Sequence, residues 1–226
     1  MAARSLSLAA YRALARRGPA RIQSTDLERP ADELVLIYVG YTLDMPAVLD
    51  LAERLLQQRP QLTVLVCVSD DVLPNRPKNA ADGSILWIAA PDEHPRIVEA
   101  FVRHWKPNLV LWIRGNLRPT LIDDLARTNI PLHLVSADKS GFDGRRERWL
   151  PELTRSLLAH FTTISAQNNE AVQELERLSL KKATIQSAQK LQVTGRVLPC
   201  ATSDFCLLYT SPSPRDLSTT RMPSSA

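Results

Sequence analysis

Glycine is scarce in this sequence, seven residues in 226, and none of it forms G-x-G-x-x-G or the phosphate-cradling G-x-x-x-x-G-K-[ST]. Those patterns let a backbone approach a pyrophosphate closely, so their absence argues against a dehydrogenase-type dinucleotide site and against P-loop chemistry. G-x-S-x-G is missing as well, and with it the strained turn that presents a hydrolase serine. No apolar run reaches the ~18–20 residues that a membrane-spanning helix needs. Cysteine is limited to three residues with no C-x-x-C, which predicts neither a disulfide framework nor a zinc site and suits a reducing cytosol. The four histidines, His94, His104, His133 and His160, are scattered, so the predicted metal ligands are none. His133 falls inside a predicted strand and reads as a satisfied interior or rim histidine.

Positive charge is present but misplaced for a nucleic-acid binder. Of the formal net +4, residues 1–21 carry +5 (Arg4, Arg12, Arg16, Arg17, Arg21, no acid) and residues 206–226 carry +1, which leaves −2 for residues 22–205. The basicity is an N-terminal arm, and no nucleic-acid partner is expected. In that arm, residues 1–21, Leu6, Leu8, Tyr11, Leu14 and Ala15 give a short helix an apolar side. Such a helix suits an anionic membrane surface. The alternatives are a helix packed on its own domain and a look-alike of a mitochondrial presequence. Residues 22–32 read as a linker after Gly18-Pro19.

The end of the chain stands apart. CLLYTSPSPRDLSTTRMPSSA, residues 206–226, is rich in Ser, Thr and Pro and has neither a helical nor a strand period. It resembles the translation of a sequencing-library adapter and is expected to be an artefactual, disordered tail. On that reading the natural protein continues past Phe205.

Between these ends apolar strands alternate with amphipathic helices. ELVLIYV, LTVLVCV, SILWIAA, NLVLWI, LHLVSA and FTTISA read as strands, and QVTG as the start of a last one. Cys67 sits inside LTVLVCV as a buried small hydrophobe. Met45, Val48, Leu49, Ala52, Leu55 and Leu56 recur at helical spacing, as do Ile97, Val98, Phe101 and Val102 beyond Asp92 and Pro95. Further helices begin near Pro119, in WLPELTRSLLAHF and in NNEAVQELERLSL. Continuous apolar strands joined by helices predict an α/β fold, a Rossmann-like parallel sheet with helices on both faces, over residues 33–200. Ligands of such sheets sit beyond the carboxyl ends of the strands, in the loops GYTLDM, SDDVLPN, AAPDEHP, RGNLRP, SADKSGF and SAQNNE.

The order of these pieces resembles the Kdo (3-deoxy-D-manno-octulosonic acid) transferases. PAVLDLAERLLQQRPQLTVLV is similar to that family's first helix and second strand. FVRHWKPNLVLWIRGNLRPTLIDDLARTNIPLHLVSAD resembles its strand, E-T-E-L-W-P-N turn, helix and strand ending in A-N-A-R. RRERWLPELTRSLLAHFTTISAQNNEAVQELERL and LQVTGRV resemble the following arm, an A-Q-S-like strand end and the V-T-G-N stretch. The resemblance implies the N-terminal, acceptor-side domain of a two-domain GT-B glycosyltransferase of lipopolysaccharide synthesis. Its reaction would move Kdo from CMP-Kdo, held by a C-terminal domain, to a lipid A precursor. The resemblance also implies no cofactor and a peripheral seat on the cytoplasmic face of the bacterial inner membrane.

The polar signatures depart from the family's. The general-base Glu of its A-S-V-G-E falls on Asp44, a carboxylate one methylene shorter. An N-cap for the helix at Met45 is the competing role. E-T-E becomes Arg114, Gly115 and Asn116; Arg118 follows in the same turn. The A-N-A-R Asn becomes Ser136 and its Arg becomes Asp138, next to Lys139. The V-T-G-N Asn becomes Arg196. Arg114, Asn116, Arg118, Asp138 and Lys139 are the acceptor-binding candidates. The two arginines, beside a helix N-terminus, suit a phosphate or carboxylate, unless they are solvated surface charge. A non-catalytic glycolipid-binding homologue is the alternative to a transferase.

Overall fold

A computed structural model describes residues 6–18, 20, 27–69, 84–138, 152–178, 180 and 183–193. Seven strands form one parallel sheet: β1 Leu34–Val39, β2 Thr63–Val68, β3 Ile85–Ala89, β4 Leu109–Ile113, β5 Leu132–Ala137, β6 Thr163–Ala166 and β7 Thr184–Ser187. Their order across the sheet is β3-β2-β1-β4-β5-β6-β7. β1 therefore pairs with β2 on one side and β4 on the other, in parallel register through Tyr38↔Cys67 and Tyr38↔Trp112. The chain divides into two compact units, 1–192 and 193–226, and of the second only Val193 is described.

The helices are α1 Leu6–Ala15, α2 Met45–Gln58, α3 Pro95–Trp105, α4 Pro119–Arg127, α5 Leu153–Leu158 and α6 Asn169–Arg177. They cover both faces. α1 and α3–α6 pack through Leu8, Val98, Leu121, Leu157 and Leu175 against one face. α2 packs through Met45, Val48 and Ala52 against the other. Two interior strands, LVLIYV and TVLVCV, are buried at every position. Each buried Val, Leu or Ile contributes ~1.5–3 kcal/mol, so this pair is the energetic centre of the sheet. Cys67 is a fully buried thiol within it.

The helix in the basic arm lies against its own domain. Leu8 is buried, and Arg12 bridges Asp123 (2.7 Å) and Asp124 (2.5 Å) of α4. Burial alone would lower the pKa of Arg12, but the hydrogen bond and charge of Asp124, with those of Asp123, outweigh it and hold the guanidinium above its ordinary value. Leu6 and Leu14 stay exposed, as do Arg16 and Arg17.

The last strand departs from expectation. β7 is Thr184–Ser187, while Gln192 and Val193 of QVTG are irregular. TIQS is an edge strand with three of its four residues exposed, so it lacks the apolar run that marks the others. The tail 206–226, Lys139 and Arg196 lie outside the described residues.

Candidate functional site

In strand order 3-2-1-4 the chain leaves β1 and β4 in opposite directions, so the crevice between their carboxyl ends is the topological switch point. Asp44 and Arg114 meet there. Asp44 ends a single 3₁₀ turn, Thr42–Asp44, that follows β1 and runs into α2. Its side chain makes no cap hydrogen bond. Instead Oδ1 accepts from Arg114 Nη2 at 2.6 Å, with 7% of the Asp44 side chain and 15% of the Arg114 side chain exposed. The helix-cap role is therefore replaced by an ion pair between residues seventy positions apart.

The turn after β4 is built to deliver Arg114. Arg114 and Asn116 both take left-handed backbone conformations, φ 66° and 53°, which cost energy unless the surroundings fix them. Trp112 stacks on Tyr38 with ring centroids 3.9 Å apart, and its Nε1 donates to Gly115 O at 2.9 Å. The turn is thus tied to the core through its central residue. The Arg114 guanidinium also lies over the ring of Tyr41, 5.7 Å from the centroid.

Asn116 closes the crevice from the β4 side. Its side chain rests on Gly40, where an added Cβ would stand 2.7 Å from Asn116 Cβ and 2.9 Å from Nδ2. Gly40→Ala is therefore expected to destabilise the domain by roughly 1–3 kcal/mol through overpacking. Because the nearest atom is the Cβ of Asn116, only Asn116→Gly should restore the loss. A thermal melt in which Asn116→Ala rescues as well would refute this packing.

Arg118 is engaged elsewhere. It is the residue before α4, pairs with Glu93 at 3.3 Å and donates to Pro91 O. Glu93 Oε2 accepts from Thr120 N at 2.8 Å, so a carboxylate from the loop before α3 already occupies the N-terminus of α4. The Tyr38 hydroxyl lies in the same cluster; burial, above all, pushes its pKa well above the ordinary value. Burial opposes the charge on Arg118, but Glu93 and Tyr38 outweigh it and hold its pKa raised. Neither arginine is a solvated surface charge, since each already has a carboxylate partner.

On the next strand Ser136 takes a left-handed conformation, φ 58°, and its Oγ accepts from Leu191 N at 3.2 Å. Asp138 follows, half-buried. Sequence reasoning missed Gly40, Tyr41 and Glu93. Glu93 carried no signal, since it reads as the opening of its own helix rather than the cap of another.

His133 is the rim histidine expected, with Nδ1 2.6 Å from Thr163 Oγ1 on the neighbouring strand. Burial lowers its pKa. The unfolded chain then binds the proton more readily than the folded one, so the stability from neutral His133 is present above the usual value of about 6.5 and fades as pH falls below it. Unfolding midpoints measured from pH 7.5 downward should show this loss, and His133→Asn should flatten it. An unchanged slope would assign the acid sensitivity to other groups.

Residues 42–194 match the model of the 3-deoxy-D-manno-octulosonic-acid transferase (kdotransferase) family. The chain belongs to that family. Two curated Kdo transferases are similar to it. The probable mitochondrial enzyme of Arabidopsis thaliana is 26% identical over 66% of this chain and 34% of its own length. That of Haemophilus influenzae is 22% identical over 74% and 38%. The chain spans about a third of the length of the curated Kdo transferases it matches. Among solved structures, a UDP-GlcNAc 2-epimerase from Neisseria meningitidis bound to UDP-GlcNAc covers 67% of this chain and 46% of its own, at 15% identity and TM-score 0.43. A ugt transferase from Siraitia grosvenorii in complex with UDP covers 73% and 53%, at 11% identity and TM-score 0.44.

Proposed function

We propose that this chain is the acceptor-side domain of a GT-B glycosyltransferase that moves Kdo from CMP-Kdo to a hydroxyl of a lipid A precursor, with the donor held by a second domain. Family membership supports the reaction class. The observation that carries the site is a nearly buried carboxylate, Asp44, at the switch-point end of β1. In the reaction a general base takes the acceptor proton while the acceptor oxygen bonds to the anomeric carbon, and CMP leaves with the electron pair of the broken bond. Asp44 is assigned that base. Arg114, Asn116, Arg118, Asp138 and Lys139 are assigned to the acceptor, with no resident metal or cofactor. The proposed location is the cytoplasmic face of the bacterial inner membrane, held peripherally. Exposed Leu6, Leu14, Arg16 and Arg17 on and beside α1 support contact with anionic lipid.

One observation favours a second reading, a non-catalytic glycolipid-binding homologue: the Asp44 carboxylate is already engaged by Arg114. One assay separates the readings. The chain is mixed with anionic vesicles carrying a lipid A precursor, and CMP-Kdo is added. It should sediment with the vesicles and release no CMP, because orienting the donor against the acceptor supplies ~7–11 kcal/mol that one domain lacks. CMP release by the chain alone would overturn this division of labour. Paired with a donor-binding domain, CMP release marks the transferase and its lack marks the binder.

A further inference from the structure

The outer face of α1 is the wrong kind of surface for water. Leu6, Ala9, Ala10, Ala13 and Leu14 recur at i, i+3, i+4, i+7 and i+8 and are all exposed, Leu6 at 87% and Leu14 at 59%. A helix that packs on its domain through Leu8 should turn polar or charged residues outward. This one turns out only leucine and alanine, and charge follows at its end in Arg16 and Arg17. Arg12 fastens the inner face to Asp123 and Asp124, so the apolar face points away from the domain.

Beside it, residues of α1, α3 and α4 line a cavity of about 750 Å³, a size usual for ligand pockets. Its lining carries Arg12, Arg103, Lys106 and Arg127 against Glu99 and Asp124, an excess of two positive charges. Counting Asp123, which Arg12 and Arg127 share, still leaves one. Basic residues at a helix C-terminus often do no more than meet the helix dipole. At α3 that role is filled by Arg29, whose Nε and Nη2 donate to the carbonyls of Trp105 and Lys106. Lys106 forms no ion pair among the described residues, and Arg103 holds Glu99 only in an exposed i,i+4 pair of the weak kind. Both cations are therefore available to an anion.

We propose that this cavity binds the phosphate of an anionic phospholipid while the outer face of α1 enters the bilayer surface beside it. The inference rests on the peripheral-membrane reading and adds to it a headgroup site separate from the acceptor. The cavity adjoins the ends of α3 and α4 that lead into β4 and β5, so it lies at the amino end of the sheet. Asp44 and Arg114 follow the carboxyl ends of β1 and β4. A bulk lipid can thus hold the domain at the membrane without competing for the crevice. A soluble phosphate would leave the leucines in water, and a second copy of this chain would bring the same positive charge.

Vesicles without any lipid A precursor test this on the full 226-residue chain. The chain should sediment with vesicles of phosphatidylglycerol and phosphatidylcholine in equal parts, and not with phosphatidylcholine alone. Arg103→Gln/Lys106→Gln should melt like the parent and bind about 10- to 30-fold more weakly, the worth of two cations near an anionic surface. Arg54→Gln/Arg59→Gln removes the same charge at α2 and its C-cap, where both side chains are exposed, and should cost less than about 3-fold. Leu6→Ser/Leu14→Ser should weaken binding by at least ~10-fold. Equal losses from the two charge variants would leave only diffuse attraction and overturn the site. Inorganic phosphate that binds the vesicle-free chain as tightly as the vesicles do would overturn it too, by making it a site for free anion. Full binding by the serine variant would remove α1 from the bilayer. Sedimentation with neither vesicle would sink the peripheral-membrane reading along with the site. None of these results bears on the acceptor assignment, since no acceptor is present.

Discussion

Arg12→Ala lowers the stability of the domain by about 3 kcal/mol, the cost expected when one partner of a buried ion pair is removed and the other remains. Asp123 and Asp124 have side chains only 7% and 9% exposed. Asp123 keeps Arg127 at 2.8 Å and His160 at 3.8 Å, so the loss falls mainly on Asp124. At ~2–4 °C per kcal/mol for a domain of this size, the melting temperature should drop by about 6–12 °C. Arg12→Ala/Asp124→Ala should recover part of that, because the stranded carboxylate goes with its partner. A drop below about 2 °C for the single variant would mean that α1 does not stay on α4 in solution. The arm would then be free for lipid along its whole length.

Asp44→Asn in an enzyme that pairs this domain with its donor half is expected to lower kcat by ~10²–10⁴-fold, the usual worth of a positioned general base. Asparagine suits this test better than alanine. It keeps a carbonyl oxygen for Arg114 at nearly the same volume, whereas alanine leaves a buried guanidinium unpaired and confounds rate with unfolding. Asp44→Glu should retain transfer, since it restores a carboxylate. Steady-state rates beside melting temperatures check both: an asparagine variant that melts normally and transfers at full rate removes Asp44 from the chemistry.

The fold was legible where burial writes itself into composition. LVLIYV and TVLVCV are buried on both faces and so are apolar at every position, which a reader of sequence can see. TIQS was not legible, because an edge strand with most of its side chains exposed carries no such mark. The site was legible in parts. Asp44 and Arg114 were each placed at strand ends, but their pairing depends on β1 and β4 being neighbours, a fact of strand order rather than of either loop. The same holds for Glu93, which caps a helix 26 residues after it through Thr120 N. Asp44 as a helix cap failed for the converse reason. The local signal was sound, and a distant guanidinium competed for the same oxygen.

The place of β1 between β2 and β4 also sets a schedule. During synthesis β1 and β2 emerge first and can pair, but the other edge of β1 waits for β4, about forty residues beyond β2. At ~5–20 residues per second that interval is roughly 2–8 seconds. Throughout it LVLIYV, uncharged and without proline, presents an open ladder of the kind that seeds strand-to-strand aggregation. The nascent chain therefore meets its greatest hazard before its switch point exists.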